Sequence, residues 1–242
     1  MLRPTLFLLI ILILTGCEKF KTRKLATVQF NFQTELNQSD FDLMNQFEDS
    51  ENRSISLELI KFYLSDFSLI TEDGETVITE EILLIELDNN GKASFSVKVD
   101  PGNYTGISFG IGVPQAMNEA GPDSFNESGH PLNALNNTYW GMNGMYRFVM
   151  IDGRYFENGN YVNTFSYHTG YDESFRNLQL DKSMTFKKKE NYEETLYIDV
   201  SKILEGPGGN LDIVNEPNFH GELDDIHLSK TLSDNFKSAF RF

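Results

Sequence analysis

Apolar and polar residues alternate near the start of the chain, with Val28, Phe30 and Phe32 set against Gln29, Asn31 and Gln33. A period of two is that of a half-buried strand, so this stretch is predicted to lay three large side chains on one face. Residues 39–53 are polar and rich in Asn, Asp and Glu, which predicts a loop. Ile55 to Ile70 is a long apolar stretch that reads as a strand running into the turn Glu72-Asp73-Gly74. Val77 to Leu87 follows, and Asp88-Asn89-Asn90-Gly91 carries the residue types of a hairpin turn. Ala93, Phe95, Val97 and Val99 then alternate up to Pro101-Gly102. Further strands are expected over 104–113, 145–156, 165–168 and 196–200. Helical signal is sparse: Leu228, Leu232, Phe236 and Phe240 recur every four residues, with Ser229 placed to cap them. Many short strands with turns between them predict an all-β, β-sandwich-like single domain with long loops and a short C-terminal helix.

The amino terminus departs from this rhythm. Met1-Leu2-Arg3 precedes a wholly apolar run from Leu6 to Leu14, closed by Leu14-Thr15-Gly16-Cys17. A basic start, a short apolar stretch and small residues before a cut describe a secretory leader. The run falls short of the ~20 residues that a spanning helix needs. Its ending resembles a lipobox, in which cleavage falls before the cysteine and the thiol carries the lipid. The expected division is therefore a leader over 1–16, a tether over 17–24 containing Lys19, Lys21, Arg23 and Lys24, and a domain over 25–242. Two or three acyl chains hold a protein stably, which makes this an envelope lipoprotein bound to a membrane through Cys17. The outer membrane is expected, at its periplasmic face or the cell surface. Cys17 is the chain's single cysteine, so the domain has no disulfide and no thiolate for zinc, iron–sulfur or nucleophilic chemistry.

Composition narrows the function. With 40% hydrophobic and 13% aromatic residues, a packed core is feasible without cross-links. A net charge of −16 excludes nucleic acid as a partner, because phosphate contacts need a basic face. No Gly-x-Ser-x-Gly, phosphate-binding loop or His-Glu-x-x-His is present. Glu80 and Glu81 would point to opposite faces of a strand, which rules them out as a glycosidase pair. Asp88 to Gly91 lacks the glutamate that completes a calcium loop. The chain is read as a binding protein rather than an enzyme.

Residues 112–147 interrupt the strand pattern, and a long loop inside a compact domain is usually functional. The loop holds the chain's single tryptophan, in Tyr139-Trp140-Gly141-Met142, and the strand beyond it leads to Tyr167-His168-Thr169-Gly170. Phe62-Tyr63-Leu64-Ser65, Ile111-Gly112-Val113, Asn118, Pro131-Leu132-Asn133, Tyr139-Trp140 and Tyr167-His168-Thr169-Gly170 occur in that order. This ordered set, spread over most of the chain, resembles the MbnP-like copper-binding proteins, which are linked to methanobactin operons and to a surface copper protein of methanotrophs. In that family the tryptophan can be oxidised to kynurenine by a partner di-haem oxidase of the MbnH type. The opened ring then offers an aryl amine that joins histidines in holding copper. Carried over by position, the resemblance implies that Trp140 is the modified residue and His168 a ligand. Two positions after the tryptophan the family has His in one well-known member and Trp in many others; here the residue is Met142.

The residues themselves suit Cu(I), which favours soft thioether and imidazole donors. In an extended segment Trp140 and Met142 would project to one face, and His168 would complete a site made of Trp140, Met142 and His168. His227, beside Asp224 and Asp225, is a possible additional ligand, while His130 and His220 are weaker candidates. The structural alternatives are a tryptophan that anchors the core, methionines that fill gaps and a hydrogen-bonded histidine. The competing functional reading is a metal-free module that recognises a protein or glycan through the 112–147 loop, with Tyr139, Trp140, Tyr146 and Tyr171 as stacking residues.

Overall fold

In the computed structural model, which describes residues 24–220 and 226–242, the alternating pattern becomes a structure of two large sheets with two small two-stranded ones among the described residues. The leader, Cys17 and the Asp224-Asp225 pair lie outside the described residues. Nine long strands carry the fold among those that are described: β1 (Ala26–Leu36), β2 (Ser54–Thr71), β3 (Thr76–Glu86), β4 (Lys92–Val99), β5 (Gly102–Ile111), β6 (Val149–Glu157), β7 (Asn160–His168), β8 (Arg176–Phe186) and β9 (Asn191–Asp199). In the first sheet β1 pairs antiparallel with β4 and parallel with β9. In the second, β2 is shared: residues 54–62 pair with β6, 64–71 with β5, and 61–70 with β3. β8 and β7 extend this sheet beyond β5 and β6.

The sheets meet through aromatic side chains. Phe30 and Phe32 of β1 are buried and pack edge-on against Phe67 and Phe62 of β2, with ring centroids 4.8 and 5.8 Å apart. Phe95 of β4 adds an edge contact to Phe67 at 4.9 Å. Edge-to-face pairs at these separations add to the gain from burial itself. The helix Ile226–Ala239 closes one end, and its Leu228, Leu232 and Phe236 are buried as their spacing predicts. Ser229 is not its cap. It lies inside the helix, fully buried, with its hydroxyl bonded to that of Ser174. Phe240 leaves the helix for a short strand, Phe240–Arg241, beside β9.

Two further departures have local causes. The expected strand over 145–156 breaks at Arg147-Phe148, leaving the two-residue strand Met145–Tyr146 and then β6. β8 goes unforeseen because Lys182 sits in its inward-leaning register, between Leu180 and Met184. Its ammonium lies 2.6 Å from Glu194 and 4.6 Å from the centre of the Phe242 ring, so a cation takes an apolar position.

The chain's last residues fasten the first sheet. Both Arg241 Nε and Arg241 Nη2 donate to the Glu35 carboxylate, whose side chain is 4% exposed against 42% for Arg241. Removing one partner of a buried pair costs about 3–5 kcal/mol, and solvent at Arg241 reduces that. Arg241→Ala should therefore lose about 2 kcal/mol, read as a lower urea midpoint at unchanged slope.

Candidate metal centre

The 112–147 loop has a core of its own. Tyr63, Ile82, Val113, Leu132, Tyr146 and Phe148 form a second buried cluster, flanked by Met117, Phe125 and Tyr139. Tyr63 sits where the loop leaves and returns: its carbonyl accepts from Gly112 N and its amide donates to Phe148 O, both at 2.9 Å. The Tyr63 hydroxyl donates to Pro131 O and lies 2.6 Å from Thr138 Oγ1. Tyr146 OH donates to Leu132 O, and Tyr146 N donates to Asn118 Oδ1. Burial pushes the Tyr146 hydroxyl up to about 12, so it remains a donor at neutral pH. Asn133 caps the turn Ala134–Asn136 by accepting from Leu135 N. These bonds give physical roles to the scattered motif residues Tyr63, Gly112, Asn118, Pro131, Leu132 and Asn133, which brace one loop.

The braced loop presents a hairpin in which Tyr139 pairs with Tyr146 and Trp140 with Met145. The turn is tight, with Asn143 N and Gly144 N both donating to Trp140 O. The segment 140–142 is therefore not extended, and Met142 stands fully exposed at the tip instead of sharing a face with Trp140. Half-buried Trp140 packs down on the chain after β7. A Cβ at Gly170 would come 2.9 Å from Met145 Sδ and 3.5 Å from Trp140 Cζ3, so glycine there lets the hairpin approach.

Two histidines meet the indole. Asn218–Phe219 pairs parallel with Ser166 and Tyr167, which brings the next residues, His168 and His220, side by side. Their ring centres are 4.8 Å apart at 85°, and the indole centre lies 6.3 Å from His168 and 6.4 Å from His220. Phe165 and Tyr167 face the core, so Ser166 and His168 project from the other face of the sheet. Asp152, opposite Ser166 on β6, projects with them. Asp152 Oδ1 lies 3.0 Å from His168 Nε2 and accepts from Ser166 Oγ at 2.6 Å. Burial pushes the Asp152 carboxyl up. The hydrogen bonds from His168 and Ser166, with the nearby charge of His168 and His220, more than offset this and leave it below the usual carboxylate range.

An ionised Asp152 accepts from His168 Nε2, and in the neutral imidazole this leaves the lone pair on Nδ1. That Nδ1 is buried and has no hydrogen-bond partner. An unpaired buried acceptor is costly, and an imidazole oriented by a carboxylate is the usual arrangement of a metal ligand. Among the described residues, no three His, Cys, Asp or Glu side chains are grouped to hold a metal by themselves. The cluster offers two imidazoles, and a third donor has to be of another type.

The structure thus joins Trp140 with His168 and adds His220, Asp152 and Ser166, while Met142 stays apart from the rings. His227 lies exposed near the start of the C-terminal helix. His130 has a local role, its ring stacked on Phe125 at 4.8 Å and its Nδ1 accepting from Leu132 N. Tyr146, offered above as a stacking residue, is fully buried. His220 carries no local signal in the sequence, because only the long-range parallel pairing of 218–219 places it.

Comparison with known proteins agrees with this architecture. A family model described as MbnP matches residues 25–221. Among solved structures, MbnP from Methylosinus trichosporium superposes with a TM-score of 0.53 at 12% sequence identity, covering 81% of each chain. At that identity the likeness concerns the fold. No curated protein sequence matches.

Proposed function

The chain belongs to the MbnP family, and from that premise we propose that it binds copper at the cluster of His168, His220 and Trp140. The observation that carries this reading is the His168 imidazole, whose Nε2 is held by Asp152 while its buried Nδ1 has no partner, 4.8 Å in ring separation from a second imidazole. Neutral imidazoles suit copper in either of its common states, and Cu(I) accepts a sparse donor set. Trp140 supplies the third position. As an indole it walls the site; as kynurenine, made by a di-haem oxidase of the MbnH type, it would add an aryl amine nitrogen. Met142 and His227 have no part in this site.

The proposal extends to the setting. The Leu14-Thr15-Gly16-Cys17 ending supports cleavage and lipidation at Cys17, and hence a protein tethered at the outer membrane. Among the described residues no helix is long and apolar enough to cross a membrane. The protein would hold copper rather than catalyse a reaction.

The test is Cu(I) competition against a chromogenic chelator. His220→Ala should weaken Cu(I) binding at least about tenfold, whereas His130→Ala, which touches only the loop, should leave it unchanged. Equal affinity in His220→Ala and wild type would end the proposal.

A further inference from the structure

A cation, the Arg147 guanidinium, stands against this cluster. Arg147 follows the hairpin, its amide donating to Thr138 O at 2.7 Å and its Nη1 to Asn137 O at 3.1 Å. Those bonds hold its guanidinium carbon 5.0 Å from the centre of the Trp140 ring, which itself borders both imidazoles. Its Nε is buried with no hydrogen-bond partner, so the charge is incompletely solvated. The carboxylate of the same cluster, Asp152, has its Oδ1 committed to His168 and Ser166. Burial pulls the guanidinium down, and the Asp152 carboxylate offsets this only in part.

We infer that Arg147 is a positioning charge that biases the site toward Cu(I) over Cu(II); this rests on the copper reading above. The two ions differ by one positive charge. Among the described residues, the fixed charges that border the cluster are the Arg147 guanidinium and the Asp152 carboxylate, opposite in sign. Removing Arg147 removes a repulsion that a doubly charged ion feels twice as strongly as a singly charged one. At the effective dielectric of a half-buried site, one unit charge at this range alters the relative affinity by on the order of tenfold. Asp152 acts in the opposite sense, because it attracts the more highly charged ion more strongly.

The test measures Cu(I) and Cu(II) affinities separately, each against a chelator for that ion, in wild type, Arg147→Gln, Arg147→Lys and Asp152→Asn. Arg147→Gln should raise the Cu(II)-to-Cu(I) affinity ratio about tenfold, Arg147→Lys should restore the wild-type ratio, and Asp152→Asn should lower it. Equal weakening of both ions in Arg147→Gln would overturn the inference and reduce Arg147 to a prop for Trp140. A ratio in Arg147→Lys that follows the glutamine variant would overturn it too. If Arg147→Gln does not fold, the direction of the Asp152→Asn shift decides. No copper binding by wild type in either state would overturn the copper reading itself.

Discussion

Alanine in place of Gly153 is expected to cost about 3 kcal/mol or more and to take the proposed copper site with it. A Cβ at this position would lie 2.2 Å from Phe165 Cζ and 2.4 Å from Ser56 O. Neither neighbour can yield cheaply: Phe165 is a core ring on β7, and Ser56 O is backbone of β2. Overpacking of a rigid core costs about 1–3 kcal/mol and at times more, and here two rigid groups are struck at once. The position also lies at the register shift between β6 and β2, directly after Asp152. Relief by moving β6 would carry Asp152 away from His168. Urea denaturation should show the loss as a lower midpoint, with Cu(I) affinity falling in the protein that remains folded. An unchanged midpoint would mean that the irregularity can open to admit a methyl group.

His168→Ala should weaken Cu(I) binding by about a hundredfold or more, beyond the ~10–100-fold typical of losing only a carboxylate behind a ligand. The substitution removes a buried ring nitrogen that has no hydrogen-bond partner, and it strips Asp152 of a hydrogen bond. Acid stability supplies a second readout. The folded-state Asp152 carboxyl lies below its ordinary value, so its contribution is fully present above the ordinary carboxylate range of about 4 and is lost as pH falls through the depressed value. Removal of His168 lets that carboxyl rise toward its ordinary value. The variant's stability should then fall less between neutral and acid pH than that of wild type, measured by thermal or urea unfolding across that range. A parallel acid profile would show that His168 does not support the carboxylate.

How much of this was legible depended on whether the determinant was local. Val28, Phe30 and Phe32 declare their strand because burial on one face and a period of two leave few alternatives. The Asp88–Gly91 turn is equally local: the Asp88 carboxylate accepts from Asn90 N and Lys92 N, and Gly91 adopts φ +70°. It is not the expected hairpin, because β3 and β4 on its two sides belong to different sheets. The repeat of Leu228, Leu232 and Phe236 gave the helix, yet not its cap, since Ser229 turned out to face Ser174 from inside it. β8 escaped notice because Lys182 occupies an apolar register position through contacts to Glu194 and Phe242, both remote in sequence. In the site, Trp140 and His168 stood out by position, and geometry joined them. Met142 stands apart from the rings because the chain turns at Trp140 and is not extended there. Asp152 and Arg147 carry no signal in the sequence, and His220 is only a weaker candidate there, for one reason: each matters through pairing between strands or loops, and nothing near them in the chain announces it.

The parallel pairing of Asn218–Phe219 with Ser166–Tyr167 ties the cluster to the whole domain. Parallel neighbours cannot be joined by a tight turn, and the chain between these two contains β8 and β9. His220 therefore stands beside His168 only where that long-range pairing is made, and the hairpin bearing Trp140 reaches them only from its own braced core. On the copper reading proposed above, an ion bound there would report that distant parts of the chain have come together.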